Sequence, residues 1–561
     1  MLVEENRRPA LWAWNYATLG LVAALAAIGT IYFLTPAANH AEAEDSVWYL
    51  KAITFDAFPD QFHPNHLLFQ PINYLFYHAW KLLGYPANAA WPVRVLNVAA
   101  ALASLWLVYR ISASLEVPLF ARFFAVIGTA FSYGFWWYTV EAQSNLLPMV
   151  FVLLSLHRLI LIREDPLDPR HSVLLGLCNG AAMVLHQQHF LLLAVSLLGY
   201  MGVFWQRRRA IPASRFLGPV LICLVTCGAL VFTIYLGAAV LGRGLHDLGG
   251  LRSWVTSGSV PGGFGYGLSL ESMKAVLGAG RALIGGHFIF GFPAVAALIE
   301  RLVQNYELRD KMFLVKDFSP LRNYLLAALT VIMGAVVLAG VVDLLRRRRP
   351  GSIDDDNGAA RRFAFWLLGA YLVSYSLFNL YWLPESIEFW VCLTPVAYLL
   401  VALLLAPAVG RPAVKTGMGA FLACLFLINL FGSVLPQNDL RNDYWYAFNS
   451  WLLNNSGPGD LVVSGAGYIS DGYVEFYSGA KVLPTAVTDK NLRARFDWAI
   501  DYYRPKRVIL SSSVLSPRQL RGHTLLDPTP AREFFAGIMP ELTLLHSDSW
   551  QDIYLYNAGT S

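Results

Sequence analysis

Apolar runs too long for the core of a soluble domain set the first limit on this chain. Residues 11–34, 216–241 and 323–345 each exceed the ~20 residues that cross a ~30 Å hydrocarbon layer as a helix. A soluble chain of 561 residues would divide into several domains with about 25% charged residues. Here hydrophobic residues reach 56% and charged residues only 14%. Lipid offers the backbone no hydrogen-bond partners, so such runs must close their bonds internally. The predicted fold class is a polytopic α-helical membrane protein. Residues 11–34 also outrun the roughly 7–15 residues of a signal-peptide core and are read as an uncleaved first span.

Charge placement orders the spans. Arg7 and Arg8 precede the first one, which puts the N-terminus in the cytoplasm. Further spans are expected at residues 93–110, 119–138, 145–162, 172–186, 189–205, 216–241, 323–345, 363–382, 389–406 and 416–434, about eleven in all. The cytoplasmic turns then hold Arg110 to Arg122, Arg163 to Arg170, Arg207 to Arg215, Arg346 to Arg349 with Arg361 and Arg362, and Arg411 with Lys415. An odd count leaves the tail outside. Residues 282–299 are apolar enough to cross, but a single crossing there would move the arginine run outward. Residues 268–320 are therefore expected to carry interfacial or re-entrant helices on the outer side. The chain divides into a membrane domain, residues 1–435, with extracytoplasmic loops at 35–92 and 242–320, and a soluble extracytoplasmic α/β domain at 436–561.

The formal charge of +5 sits in these short clusters and forms no basic face, so nucleic acid is not an expected partner. Cys178, Cys223, Cys227, Cys392 and Cys424 all fall inside predicted spans. They read as packing residues, with no disulfide framework or zinc site. Arginine outnumbers lysine and alanine is abundant, which suits a GC-rich bacterial genome and hence an inner membrane.

The first loop is rich in aromatic residues and histidine and holds Glu42, Glu44, Asp45, Asp56 and Asp60. The spacing of Leu67, Leu68, Pro71, Ile72, Leu75 and Phe76 suits helices lying on the membrane surface, with lipid as partner. In the tail, strands are expected at 461–464, 507–512, 542–546 and 553–556, and helices at 444–454 and 491–503. Gly465 and Gly467 follow the first strand. Such a pair can cradle phosphate, but alone it reads as a plain turn.

Polar groups converge on the outer side. Asp45 lies a few residues beyond the first span, where partial desolvation makes a carboxylate a better proton acceptor. His63 and His66 flank Pro64 and Asn65. Imidazoles suit several divalent metals, but no third ligand is in view and no metal is assigned. Glu141 follows the third span in a loop so short that it must sit at the membrane surface or inside the bundle. Both a site role and a surface role fit it. His186 and His189 make the next outer hairpin, Arg94 opens the second span, and Glu385 and Glu388 precede the tenth. Arg243, Arg252, Lys274, Arg281 and His287 give the large loop positive charge suited to a lipid phosphate or to headgroup anchoring. Asp354, Asp355 and Asp356 read as a solvated acidic stretch.

Together these features resemble the GT-C superfamily of membrane glycosyltransferases, in its protein O-mannosyltransferase-like and aminoarabinose-transferase-like branches. Asp45, the long loop 35–92, His63-Pro64, Glu141, and residues 176–186 ending in Val184-Leu185-His186 carry the resemblance, which is good over residues 11–241. The chain departs in the order Glu44-Asp45 and in Asn65, where a second proline is usual. The resemblance implies a glycosyltransferase using a polyprenyl-phosphate-linked sugar on the periplasmic face, acting on a glycan, lipid or protein acceptor, usually with inversion. It makes Asp45 the base. Arg94 and the loop cations Arg243, Arg252, Lys274 and Arg281 would bind the lipid phosphate. Glu44, His63, His66, Glu141, His186, His189, Glu385 and Glu388 would position donor or acceptor. No cofactor beyond the lipid-linked donor is implied. A transporter or flippase of a lipid-linked sugar is the first competing reading, though no inverted repeat is visible. An inactive envelope scaffold is the second.

Overall fold

The computed structural model describes residues 10–43, 45–257, 267–302, 309–346, 356–485, 490–515 and 529–557. Arg7, Arg8, Glu44, Arg347, Arg348, Arg349, Asp354 and Asp355 lie outside them. The chain separates into two compact units. The first comprises Met1–Pro36, Ala52–Gly286 and Tyr324–Val434, and the second Ala37–Lys51, His287–Asn323 and Leu435–Ser561.

The first unit is helical. Among the described residues, eight helices are long and apolar enough to cross a membrane: Tyr16–Leu34, Ala90–Ser114, Gln187–Arg207, Ala213–Gly242, Pro320–Asp343, Gly358–Tyr381, Ile387–Ala408 and Pro412–Gln437. A ninth candidate is the pair Leu119–Phe131 and Tyr133–Val140, bent by 58°. The expected count of about eleven is not reached on this measure. Leu146–Ile162 and Pro169–Leu185 have 17 residues each, about 26 Å of helix, short of a full hydrocarbon layer.

Local chemistry explains the bend and the close packing. At the break, the Ser132 hydroxyl donates to Gly128 O at 2.8 Å, and Asn429 Nδ2 donates to Phe131 O at 2.8 Å. The Ser132 hydroxyl adds to the backbone bond that Gly128 O already accepts from Ser132 N–H, and Asn429 serves at Phe131 a carbonyl that a continuous helix would serve itself. Gly176 and Gly180, four residues apart, let Pro169–Leu185 press against Ala213–Gly237. A Cβ at Gly176 would lie 2.9 Å from Thr226 Cβ, and one at Gly180 2.9 Å from Leu230 Cδ2. Small residues at this spacing let helices approach where lipid gives no hydrophobic drive. Outward-facing leucines and valines on Ala213–Gly242 and Pro320–Asp343, such as Leu217, Val225, Leu321 and Val331, find an apolar solvent there.

Residues 282–299 form no single helix. They divide among Ala275–Leu283, a 3₁₀ turn at His287–Gly291, and Pro293–Leu302. Gly286, at φ +68°, interrupts the first passage, and Pro293 can begin a helix but not continue one.

The second unit contains a five-stranded sheet: β1 (Asp460–Ser464), β2 (Lys481–Pro484), β3 (Arg507–Ser511), β4 (Leu542–Ser547) and β5 (Asp552–Tyr556). The order is β2-β1-β3-β5-β4, with β1 parallel to both neighbours and β5 antiparallel to β3 and β4. Strand alternation feeds two cores. Leu461 and Val463 pack with Phe496 and Ala499 of helix Leu492–Tyr503 and with Phe534 and Ile538 of helix Thr529–Ile538. Val462 and Ile509 pack with Leu452 and with Val474 of helix Tyr468–Ser478. Helices therefore cover both faces, as a parallel centre requires. Gly465 follows β1 because a Cβ there would lie 2.7 Å from Ser513 O, and Gly467 takes φ +107°. The glycine pair is explained by a crowded turn.

Candidate functional site

In the first unit, histidines distant in sequence meet. Pro64 opens the 3₁₀ turn Pro64–His66, and a ring nitrogen of His63 accepts the Asn65 N–H at 3.4 Å. Two anchors place this turn: Tyr235 Oη donates to Pro64 O at 2.7 Å, and Leu68 N–H donates to Val184 O at 3.0 Å. The buried His66 ring then sits edge-on to His186, with centroids 4.5 Å apart, and 6.1 Å from the His63 ring. His186 ends helix Pro169–Leu185; its Nδ1 accepts Gln188 N–H at 3.3 Å and its Nε2 lies 3.5 Å from Glu388 Oε1. Glu388 is held in turn by Asn145, whose Nδ2 donates to Glu388 O at 3.1 Å. His189 Nδ1 lies 2.9 Å from Tyr375 Oη, and Gln188 Nε2 donates to Asn379 Oδ1 at 3.1 Å.

Burial, followed by the neighbouring His186 and His63, pushes the His66 imidazole well below its ordinary pKa, so it stays neutral near pH 7. Ligand atoms of His66, His186 and Glu388 lie within 4.8 Å of one another. Two imidazoles and a carboxylate are donors that divalent transition ions accept. Glu388, singled out in sequence as an outer-side carboxylate, supplies the third donor atom beside the two imidazoles. The hydrogen bond into His186 Nδ1 keeps that ring's proton on Nε2, towards Glu388, so an ion would have to displace it.

A second polar group lies at Arg94. On helix Ala90–Ser114, Arg94 Nε donates to Val140 O at 3.0 Å, and its guanidinium lies 5.4 Å from the Trp91 ring centroid. One turn along, Asn97 Nδ2 donates to Glu141 O at 2.7 Å and to Gln143 O at 3.1 Å. Glu141 is 1% exposed, which places it in the bundle interior. Asn97 was not singled out from sequence; its position three residues after Arg94, on the same helix face, was the available signal.

The remaining first-unit candidates range from exposed to half-buried. Arg243 pairs with Asp60 at 3.1 Å, both substantially exposed. Arg252 is exposed on helix Leu248–Ser257. Lys274 and Arg281 are half-buried, at the end of the turn Leu270–Lys274 and on helix Ala275–Leu283. Glu385 is half-buried beside Pro384, whose carbonyl accepts Trp390 Nε1 at 2.9 Å.

The second unit holds Asp45. It precedes helix Ser46–Phe55, and its carbonyl accepts Tyr49 N–H at 2.9 Å. Two phenols reach its carboxylate: Tyr49 Oη donates to Oδ2 at 3.4 Å and Tyr468 Oη to Oδ1 at 3.1 Å. Trp48 stacks on the Tyr468 ring with centroids 5.0 Å apart, and its Nε1 donates to Tyr468 O at 2.9 Å. Gly472, one turn further, admits Trp48: a Cβ there would lie 3.0 Å from Nε1. Lys51 Nζ and Glu475 pair at 3.2 Å. His287, expected among the phosphate-facing cations, is instead buried against Glu42 at 2.8 Å. Tyr49, Tyr468 and Glu42 were not picked out from sequence as site residues; Tyr49, four residues after Asp45 on one helix face, was the readable one.

No family model matches the sequence, and no curated protein matches it. Solved structures do. ArnT from Cupriavidus metallidurans bound to undecaprenyl phosphate is 10% identical, with a TM-score of 0.51, over 96% of this chain and 98% of that one. The oligosaccharyltransferase of Archaeoglobus fulgidus in complex with Zn and sulfate is 12% identical, with a TM-score of 0.48, over 88% of this chain and 68% of that one. This chain has the fold of the GT-C superfamily of membrane glycosyltransferases.

Proposed function

We propose that this chain is a glycosyltransferase that moves a sugar from a polyprenyl-phosphate carrier to an acceptor hydroxyl on the extracytoplasmic face of a bacterial inner membrane. The observation that carries the reading is the end-to-end fold likeness to a transferase that binds undecaprenyl phosphate, joined to a carboxylate, Asp45, fixed at the start of the first loop.

In this reading Asp45 accepts the acceptor's hydroxyl proton as the oxygen attacks the anomeric carbon. The new carbon–oxygen bond forms as the bond to the carrier's phosphate breaks, and the phosphate leaves with the bonding pair. Each carboxylate oxygen offers two lone-pair directions, so a phenol and a substrate hydroxyl can share one oxygen. The departing phosphate gains negative charge, which a cation would stabilise in the transition state. Arg94 is the proposed group, supported by its fixed place beside the buried Glu141. The histidine cluster with Glu388 is proposed to orient donor or acceptor hydroxyls.

The test compares membranes containing wild type and Asp45→Asn at equal expression, each given radiolabelled polyprenyl-phosphate sugars and an envelope acceptor fraction. The expected result is labelled product with wild type and a drop of at least ~100-fold in the variant. Equal labelling in both removes Asp45 from the mechanism. No labelling across the donor panel removes the transferase reading and moves support to transport.

A further inference from the structure

Tyr468 opens the helix after β1 in the C-terminal domain, while Asp45 belongs to the first loop. In sequence the two are 423 residues apart, yet Tyr468 Oη donates to Asp45 Oδ1 at 3.1 Å. The ring is 53% exposed. Trp48 stacks on it, and Lys51 Nζ lies 5.7 Å from the Trp48 centroid. The aromatic group is fixed from several directions: the Trp48 indole N–H reaches Tyr468 O, Gly472 admits the indole, and Lys51 pairs with Glu475.

An exposed aromatic ring costs hydration free energy, and a fold normally turns such a ring inward. Here the ring is held outward by a hydroxyl committed to a carboxylate. Sugars match that pairing. The C–H face of a pyranose packs on an aromatic ring, and its hydroxyls are donors that carboxylates accept. An anionic headgroup would be repelled by Asp45, and a purely apolar ligand would strip water from the carboxylate without replacing its hydrogen bonds.

We infer that Tyr468 is the acceptor subsite of the transfer centre, and that the acceptor presents a sugar ring, which stacks on Tyr468 with one hydroxyl directed to Asp45. The C-terminal domain then serves the transfer in two ways, since its phenol positions the base and its ring binds the acceptor. This rests on the transferase reading and names the acceptor class, which that reading leaves open.

The test uses full-length protein in detergent, wild type, Tyr468→Phe, Tyr468→Trp and Tyr468→Ala, with fluorescent oligosaccharides of hexose, pentose and N-acetylhexosamine units as binding probes. Transfer from the radiolabelled donors is followed in parallel. Tyr468→Phe keeps the ring and is expected to bind the preferred oligosaccharide within about twofold of wild type, with kcat lowered about tenfold by loss of the phenol's hold on Asp45. Tyr468→Ala is expected to raise the acceptor KM and the probe Kd about tenfold or more. Tyr468→Phe and Tyr468→Trp are the arms least disturbing to the fold, and Tyr468→Trp should retain probe binding.

Wild-type probe binding unchanged in Tyr468→Ala overturns the subsite and leaves the transferase reading standing. Transfer to envelope acceptors with no binding of any oligosaccharide also overturns it, because the acceptor is then not a sugar. Absence of both binding and transfer overturns the subsite and the transferase reading together.

Discussion

His287 Nε2 lies 2.8 Å from Glu42 Oε2, and neither side chain is more than 5% exposed. Gln437 Nε2 donates to the same oxygen at 3.4 Å, and Lys311 Nζ lies 3.7 Å from the other. One carboxylate therefore ties together three segments of the second unit: 37–51, 287–323 and the C-terminal stretch. A buried charge left without its partner costs about 3–5 kcal/mol. Glu42→Ala is expected to destabilise the second unit by that order, and Glu42→Gln by less, since the amide still accepts hydrogen bonds. Thermal unfolding of the purified protein, with the tail's near-UV aromatic signal as readout, checks the ranking.

Asp443 should make the second unit more stable in mild acid. Its buried carboxylate accepts N–H groups from Trp445, Tyr446 and His40 and the hydroxyl of Tyr473. Burial wins over these bonds and raises its pKa from 3.8 to about 6. The native state thus holds this proton more tightly than the unfolded chain. The group's contribution is complete below pH 3.8 and is lost as pH rises through about 6. The gap corresponds to roughly 3 kcal/mol. Asp443→Asn should flatten this dependence, and the difference in Tm between the two proteins from pH 4 to pH 7.5 measures it.

Gly285→Ala should weaken the membrane unit. Gly285 N–H donates to Asn429 Oδ1 at 3.1 Å, and a Cβ would collide with the Ser433 side chain and lie 2.8 Å from Tyr133 Cδ2. Overpacking of this kind costs about 1–3 kcal/mol. A lower unfolding temperature in detergent is the expected outcome, whereas Gly334→Ala, with nothing within 4 Å of its Cβ, should leave it unchanged.

Arg94→Lys keeps the charge and loses the Nε donor that meets Val140 O at 3.0 Å. Lysine is a point charge without the planar fork of arginine. If the guanidinium stabilises the leaving phosphate, kcat/KM for the lipid-linked donor should fall about tenfold or more, while acceptor KM stays within about twofold. Equal effects on both substrates would mark Arg94 as a structural residue.

Hydropathy made the membrane elements legible, because lipid selects for long apolar helices whatever their neighbours. The predicted segments fall on helices, including the bent pair 119–138. The break at Ser132 was not readable, since it depends on Asn429 nearly three hundred residues away. In the tail, four strands were readable from short apolar runs bounded by polar and turn residues. β2 escaped notice because it has only four residues, with exposed Lys481 and Pro484 at its ends. The expected helix at 444–454 is two pieces, Tyr444–Phe448, capped by the Asp443 carboxylate, and Ser450–Asn455. His63, His66, His186 and His189 were visible one by one. Their meeting with Glu388 was not, because it is set by tertiary anchors such as Tyr235 on Pro64. Asp45 stands out in the sequence by its place after the first span, whereas the phenol it accepts from Tyr468, 423 residues away, does not.

The second unit draws on residues 37–51 and 287–323 as well as the C-terminal stretch, and this orders its assembly in time. The segment with Asp45 leaves the ribosome early, while Leu435 and all that follows emerge last. At about 5–20 residues per second the first loop waits roughly 20–80 s for the partners that complete it. During that interval the membrane helices can be in place while Asp45 has no Tyr468 beside it. On the proposed transferase reading, a chain cut short anywhere before the tail would carry Asp45 without the Tyr468 phenol that holds it, and the proposed centre would become competent only when translation has finished.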